Sequence, residues 1–331
     1  MFGNWRRLLK GAPSLGLALG VAAVCSPVWA AVTPQPGALN YIEGQVSINN
    51  QALTSKAVGS AAMNDGDVVS TGNGRAEILL TPGVLLRLNH NSAVRMDSTE
   101  LLNTRVDLLQ GQAMLEVDNL HKENNVQIAD AGAITQPEKK GIYAFNADQP
   151  AVQVFDGKAV VREGDEHVDL GKGHEALLAT QPLKSQKFDR DAAQNSDQLY
   201  AWSKLRSEYL SEATAASAQT FVVNAGGWYG PGWYWNPWWG MYSFVPGTGF
   251  FYNPFGFGLY SPVYFGTVLV PHYYGHYGRV YAGGAGVGAV RVPAVRGGFT
   301  GRSFAARGPI GGGFRGGMSG GIAGGFHGGR R

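Results

Sequence analysis

Only one cysteine, Cys25, occurs in the 331 residues, and no Asp or Glu follows Glu212. Charged residues make up 15% of the chain, against about 25% in ordinary soluble domains. No apolar run reaches the roughly 20 residues of a membrane-spanning helix. The cysteine lies in a segment expected to be removed, so disulfides, zinc–thiolate sites and cysteine nucleophiles drop out together. The acid-free stretch is not charge-free: eight arginines from Arg279 to Arg331 put residues 213–331 at +8, which leaves −5 for the first 212 given a net charge of +3. An acidic body thus precedes a basic C-terminal part.

Catalytic chemistry is equally thin. His90, His121, His167 and His174 fall in turns and polar loops, and His272 and His276 sit in a Tyr- and Gly-rich stretch with no carboxylate after them, so no metal site is expected. Asp65 and Asp67 flank Gly66 as in an acidic turn, without the further oxygen ligands of a calcium loop. Neither Gly-rich segment follows a strand and opens a helix, which removes the phosphate-binding motifs. The chain therefore reads as non-enzymatic, with no cofactor.

Arg6, Arg7 and Lys10 precede an apolar stretch from Leu15 to Val24, and Val28-Trp29-Ala30 offers small residues for cleavage after Ala30. Residues 1–30 read as a signal peptide, and the expected location is the periplasm, the outer membrane or the cell surface of a bacterium.

From Leu39 onward the hydrophobic period is two. Val46 and Ile48, Val84, Leu86 and Leu88, Val94 and Met96, Val106 and Leu108, Val126 and Ile128, and Val152 and Val154 alternate with polar residues. Turn signals separate these runs, among them Asn64-Asp65-Gly66-Asp67, Gly72-Asn73-Gly74, Pro82-Gly83, Gln110-Gly111 and Asp156-Gly157. About a dozen short strands over residues 38–185 imply an all-β fold: a sandwich, a roll or a solenoid.

Two blocks carry a family resemblance. One is Asp65-Gly66-Asp67-Val68-Val69-Ser70-Thr71-Gly72 with the following Arg75 to Leu80, Leu85 to Leu88 and Asn91 to Val94; the other is Leu109 to Val117 with Val152 to Val161. Together they resemble the FecR domain over roughly residues 38–180. The resemblance implies a β-rich extracytoplasmic domain, which in signalling members passes a signal from an outer-membrane iron transporter to a cytoplasmic sigma factor. Lys140-Gly141-Ile142-Tyr143 departs from the family's Arg-Gly-Thr turn, and only 14 residues precede the apolar stretch, so the sigma-factor role is not carried over. A sensor subunit working through a membrane partner stays as the alternative.

Residues 189–214 change period. Leu199, Trp202, Leu205, Tyr209 and Ala213 recur every three or four positions, with Arg206 on another face and Ser196 or Asp197 at the start, so one amphipathic helix is expected. Residues 221–281 then form an aromatic, Pro- and Gly-rich block. Within it Gly232-Trp233-Tyr234-Trp235-Asn236-Pro237-Trp238 and Gly249-Phe250-Phe251-Tyr252-Asn253-Pro254-Phe255 repeat one pattern 17 residues apart. Trp233, Trp235, Trp238, Phe250, Tyr252 and Phe255 are the candidate contact surface, since rigid aromatic faces favour interfaces. Expected partners are an envelope polymer, a membrane surface or an envelope protein, and not nucleic acid. Residues 282–331, Gly- and Arg-rich, are expected to be disordered. The shifts in period and charge near Glu212 place a boundary there, with residues 32–214 folding alone.

Overall fold

A computed structural model of the chain describes residues 34–223 and 227–269. The signal-peptide reading at 1–30, the pair His272 and His276 and the tail at 282–331 lie outside the described residues.

The alternating segments become strands: β1 (Leu39–Ile48), β2 (Gln51–Leu53), β3 (Val68–Leu79), β4 (Val84–Leu88), β5 (Ala93–Glu100), β6 (Asn103–Gln110), β7 (Gln112–Val117), β8 (Asn125–Asp130), β9 (Ala133–Pro137), β10 (Gly141–Asn146), β11 (Ala151–Asp156), β12 (Lys158–Glu163), β13 (Glu166–Gly171), β14 (His174–Leu177) and β15 (Ser185–Lys187). They form one sheet in the order β13-β12-β9-β8-β6-β5-β3-β4-β7-β10-β11-β14-β15, with β1 against β3 and β2. The β6–β8 pair is parallel and every other pairing among these strands is antiparallel. The two ends of the sheet approach one another. Across the seam the Leu183 N–H donates to the Glu166 carboxylate at 2.6 Å and the Ala179 N–H to that of Glu163 at 3.1 Å. The sheet is thus a nearly closed roll, and every second side chain points into one continuous core that includes Leu39, Ile78, Leu86, Val106, Leu115, Tyr143 and Val154.

The expected turn at Gly72-Asn73-Gly74 is corrected: β3 runs straight through it. Its first part pairs with β5 and its last part with β4, so the glycines mark the place where the sheet forks. A Cβ on Gly74 would lie 2.5 Å from the backbone nitrogen of Gln45, and β1 bulges opposite, between Gly44 and Val46. Glycine here allows close backbone approach in a bent strand. At a true turn, Gly157 has φ +101, and an added Cβ would meet the Tyr143 hydroxyl oxygen.

Two helices follow, α1 (Arg190–Ser196) and α2 (Gln198–Val223), in place of one over 189–214. The Asp189 carboxylate accepts the Ala192 N–H and caps α1. Asp197 breaks the run and caps α2, its carboxylate accepting the Leu199 and Tyr200 N–H groups at 2.7 and 3.2 Å. Beyond α2 come two hairpins, β16 (Gly232–Asn236) with β17 (Met241–Val245) and β18 (Phe250–Tyr252) with β19 (Gly258–Tyr260), then α3 (Pro262–Leu269). Among the described residues no helix is long and apolar enough to cross a membrane.

Candidate functional site

The outer face of the roll carries charge where a strand period of two puts it: Glu77 on β3 opposite Arg87 on β4, and Glu116 on β7 beside them. These positions would normally face water. Here α2 and the hairpins cover them, so Glu77, Arg87 and Glu116 are completely buried.

Buried charges survive only when paired and hydrogen-bonded, and each of these is. Arg87 Nε donates to Glu77 at 2.7 Å and its Nη1 to Glu116 at 2.5 Å. Arg206 of α2 donates to the other Glu77 oxygen at 3.0 Å, while its guanidinium lies 4.0 Å from the centre of the Tyr41 ring. Ser207, next along the helix, donates to Glu116 at 2.6 Å. Burial opposes ionisation of Glu77, but Arg206 and Arg87 outweigh it and hold the carboxyl at about 2. Asp118 shifts the opposite way: burial, then the Glu116 charge, raises it well above the usual carboxylate range. The network has no solvent access in this conformation, so its chemistry is cohesion between α2 and the sheet.

This corrects the expected apolar face of α2. Leu205 and Tyr209 are 46% and 41% exposed, whereas Ser203, Arg206 and Ser207 are buried. The helix turns its polar residues inward because the sheet beneath it presents carboxylates. The apolar part of the contact flanks these polar positions, with Leu199 and Trp202 against Met114, Ile142 and Phe155 on the N-terminal side, and Leu210 and Ala213 against Leu79 and Leu85 on the other.

The twin aromatic repeats dock on this helix through their asparagines. Asn236 donates to the Ala213 carbonyl at 3.2 Å and to the Ser217 hydroxyl at 3.1 Å, and its own oxygen accepts the Trp238 N–H. Asn253 donates to the Ser207 hydroxyl at 2.6 Å, and its oxygen accepts the Phe257 N–H. Ser207 and Ser217 are ten residues apart, about 15 Å along a helix, so the hairpins sit in tandem.

The six candidate contact residues separate accordingly. Trp233 is 8% exposed and packs edge-on against Phe244. Trp235 packs against Tyr242 at 5.1 Å and over Gly59, where an added Cβ would lie 2.5 Å from its ring. Phe255 packs against Tyr200 at 5.3 Å, and Phe250 lies among Tyr252, Tyr260 and Tyr264. Tyr252 is 42% exposed, and Trp238, at the β16–β17 turn, is 91% exposed. Trp233, Trp235 and Phe255 are therefore packing residues, because two-stranded hairpins need an apolar face against α2 to be stable. Trp238 is left as the projecting aromatic of the set, and Tyr229 at 93% is another that the repeat pattern did not single out.

The boundary near Glu212 falls inside α2. Asn40 of β1 spans from the roll to the block: its oxygen accepts the Tyr242 N–H at 2.7 Å and its amide donates to the Tyr242 carbonyl at 3.1 Å and to Glu77 at 2.9 Å. Asp65 and Asp67 are turn residues, Asp65 accepting from Thr99 and Asp67 from Asn64 and Asn49. No group of three or more His, Cys, Asp or Glu side chains placed to hold a metal occurs among the described residues.

Residues 67–160, from the β2–β3 connection into β12, match the family model described as FecR protein, and the chain carries a FecR domain there. Two crystal structures of a protein provisionally assigned as an anti-sigma factor from Parabacteroides distasonis, at 2.50 and 1.65 Å resolution, are similar to it at 18% and 17% identity. Each has a TM-score of 0.33, and the alignment covers 39% of this chain and 62% of theirs. No curated protein matches the chain.

Proposed function

We propose that this protein is an exported, non-enzymatic component of the bacterial envelope in which a FecR domain and its C-terminal block form a binding or structural module. The observation that carries this reading is Trp238, 91% exposed at the tip of a hairpin whose other ring residues are packed. An indole held in water by a turn anchored through Asn236 loses little entropy on binding, which suits contact with an envelope polymer, membrane surface or envelope protein. The eight arginines after residue 213, with no acid among them, add attraction to anionic envelope material.

Co-sedimentation with cell-wall and outer-membrane preparations tests this. Trp238→Ala is expected to cut the bound fraction several-fold with unchanged circular dichroism, and added salt to weaken what is left. Equal binding by the variant would remove the contact role. N-terminal sequencing of the envelope-fraction protein is expected to begin at Ala31, and full-length chain in the cytoplasm would overturn the location. The FecR match at residues 67–160 favours a second reading, a sensor subunit in transport-linked signalling through a membrane partner. Deleting the gene would then change sigma-factor-dependent transcription in response to a transported ligand.

A further inference from the structure

Away from the aromatic tip, a cleft of about 190 Å³ opens on the outer face of β7, β10, β11 and β14, beside the start of α2. Its floor is small and apolar, formed by Ala144 and Ala151 with Leu199 at the side, and its walls carry amides from Gln112, Asn146, Gln149 and Gln153. Cross-strand register builds it. Asn146 stands opposite both Gln112 and Ala151, and Ala144 opposite Gln153, so these side chains share one face.

The wall is polar, and of its two carboxylates Glu175 is engaged through both oxygens and Asp197 through one. Glu175 accepts from Gln153 at 2.7 Å and from Gln186 at 2.9 Å. One oxygen of Asp197 caps α2, while its other oxygen, the NH₂ groups of Gln112 and Asn146 and the whole Gln149 amide carry no protein hydrogen bond among the described residues. No Lys or Arg lines the cleft, so nothing there would neutralise a phosphate or carboxylate. β10 and β11 are paired along both edges, so no free backbone ladder is offered to an extended peptide. What fits is a neutral ligand with closely spaced groups that both donate and accept, and with a C–H face for the alanine floor. The volume is below the ~300–1,000 Å³ of drug-sized sites, enough for a single small ring.

We propose that this amide-walled cleft binds one ring of a neutral saccharide. Gln149 and Asp197 would hold hydroxyls, and Gln112 and Asn146 would donate from the strand face. The site is separate from Trp238 and stands whether or not the aromatic tip contacts the envelope.

Isothermal titration of the full mature chain with chitotetraose, maltotetraose and trialanine tests it. Saturable binding of either saccharide, weakened at least tenfold in Gln149→Ala and in Ala151→Leu, is the expected result. Gln149 is exposed and its side chain bonds to nothing in the fold, so that variant stays folded even if a leucine on the floor disturbs β11. Absence of saturable binding by both saccharides, binding that Gln149→Ala leaves unchanged, or binding of trialanine alone would overturn the proposal. Co-sedimentation of Trp238→Ala reads the other site, so the two can fail independently.

Discussion

Arg206 on α2 and Glu77 on β3 meet at 3.0 Å with 4% and 0% of their side chains exposed, 129 residues apart in the chain. Their contact ties the helix to the roll. Removing one member of a buried, hydrogen-bonded charge set strands the other, at a cost of about 3–5 kcal/mol. Arg206→Met is therefore expected to lower unfolding free energy by about 3 kcal/mol in urea titration. Leu205→Ser, at the neighbouring position that a simple apolar stripe would put in the core, is expected to change it by less than about 0.5 kcal/mol. Equal effects would mean that α2 docks by its apolar residues instead.

Asp130 is 1% exposed, both its carboxylate oxygens lack a hydrogen-bond partner, and burial followed by the charges of Asp107 and Asp148 pushes it up to about 7. The folded state thus holds this proton more tightly than the unfolded chain, so stability falls as pH rises from about 4 through 7. Asp130→Asn is expected to match the parent near pH 4 and to exceed it by about 2 kcal/mol at pH 8, the full shift being reduced by solvent screening near the surface. Glu77 has the opposite sign: held at about 2, it adds stability above the ordinary carboxylate range that is lost as pH falls through 2. Thermal melts across pH 2–9 read both, and a parent curve that does not fall between pH 5 and 8 would contradict the Asp130 assignment.

Trp233 and Trp238 are five residues apart in one repeat and 8% and 91% exposed. Trp233→Ala is expected to cost about 3–4 kcal/mol through the cavity it opens beneath the hairpin. Trp238→Ala should leave the unfolding midpoint almost unchanged. Chemical denaturation of the two variants gives the comparison directly, and a destabilised Trp238→Ala would return that ring to a packing role.

Gly157 and Gly66 both have positive φ, +101 and +88, but a Cβ on Gly157 would strike the Tyr143 hydroxyl and the Lys140 carbonyl, while Gly66 has open space. Gly66→Ala is expected to lose about 1 kcal/mol from backbone strain alone. Gly157→Ala should lose at least twice that, since the fixed neighbours at its turn must also move. Similar losses would show that conformation, not contact, sets the requirement at Gly157.

A chain ending at residue 214 would cut α2 nine residues before its end at Val223 and remove the Tyr242 backbone groups that Asn40 bonds. It is expected to unfold at lower urea than the mature protein and to expose the faces around Leu79 and Leu85. Coincident unfolding curves would restore a boundary at Glu212.

The sequence by itself determined the strands of an all-β domain, and the tertiary structure decided among sandwich, roll and solenoid. Alternation such as Val84, Leu86 and Leu88 assigns a strand face whatever its partners are, because a period of two is local geometry, and the turns at Gly66, Gly111 and Gly157, all at positive φ, follow from backbone sterics in the same way, whereas Gly72-Asn73-Gly74 does not. The helix cap was legible as Ser196 or Asp197, and the break between α1 and α2 selects Asp197. Which face of those strands meets water was not legible. Alternation marks Glu77, Arg87 and Glu116 as outward, and outward means exposed only until another element covers them. The same ambiguity hid the inward side of α2, where Arg206 falls off the apolar stripe, and gave Trp233 and Trp238 equal standing in one repeat. Burial of charge depends on partners that converge from β3, β4, β7 and α2, and only the tertiary structure brings those segments together.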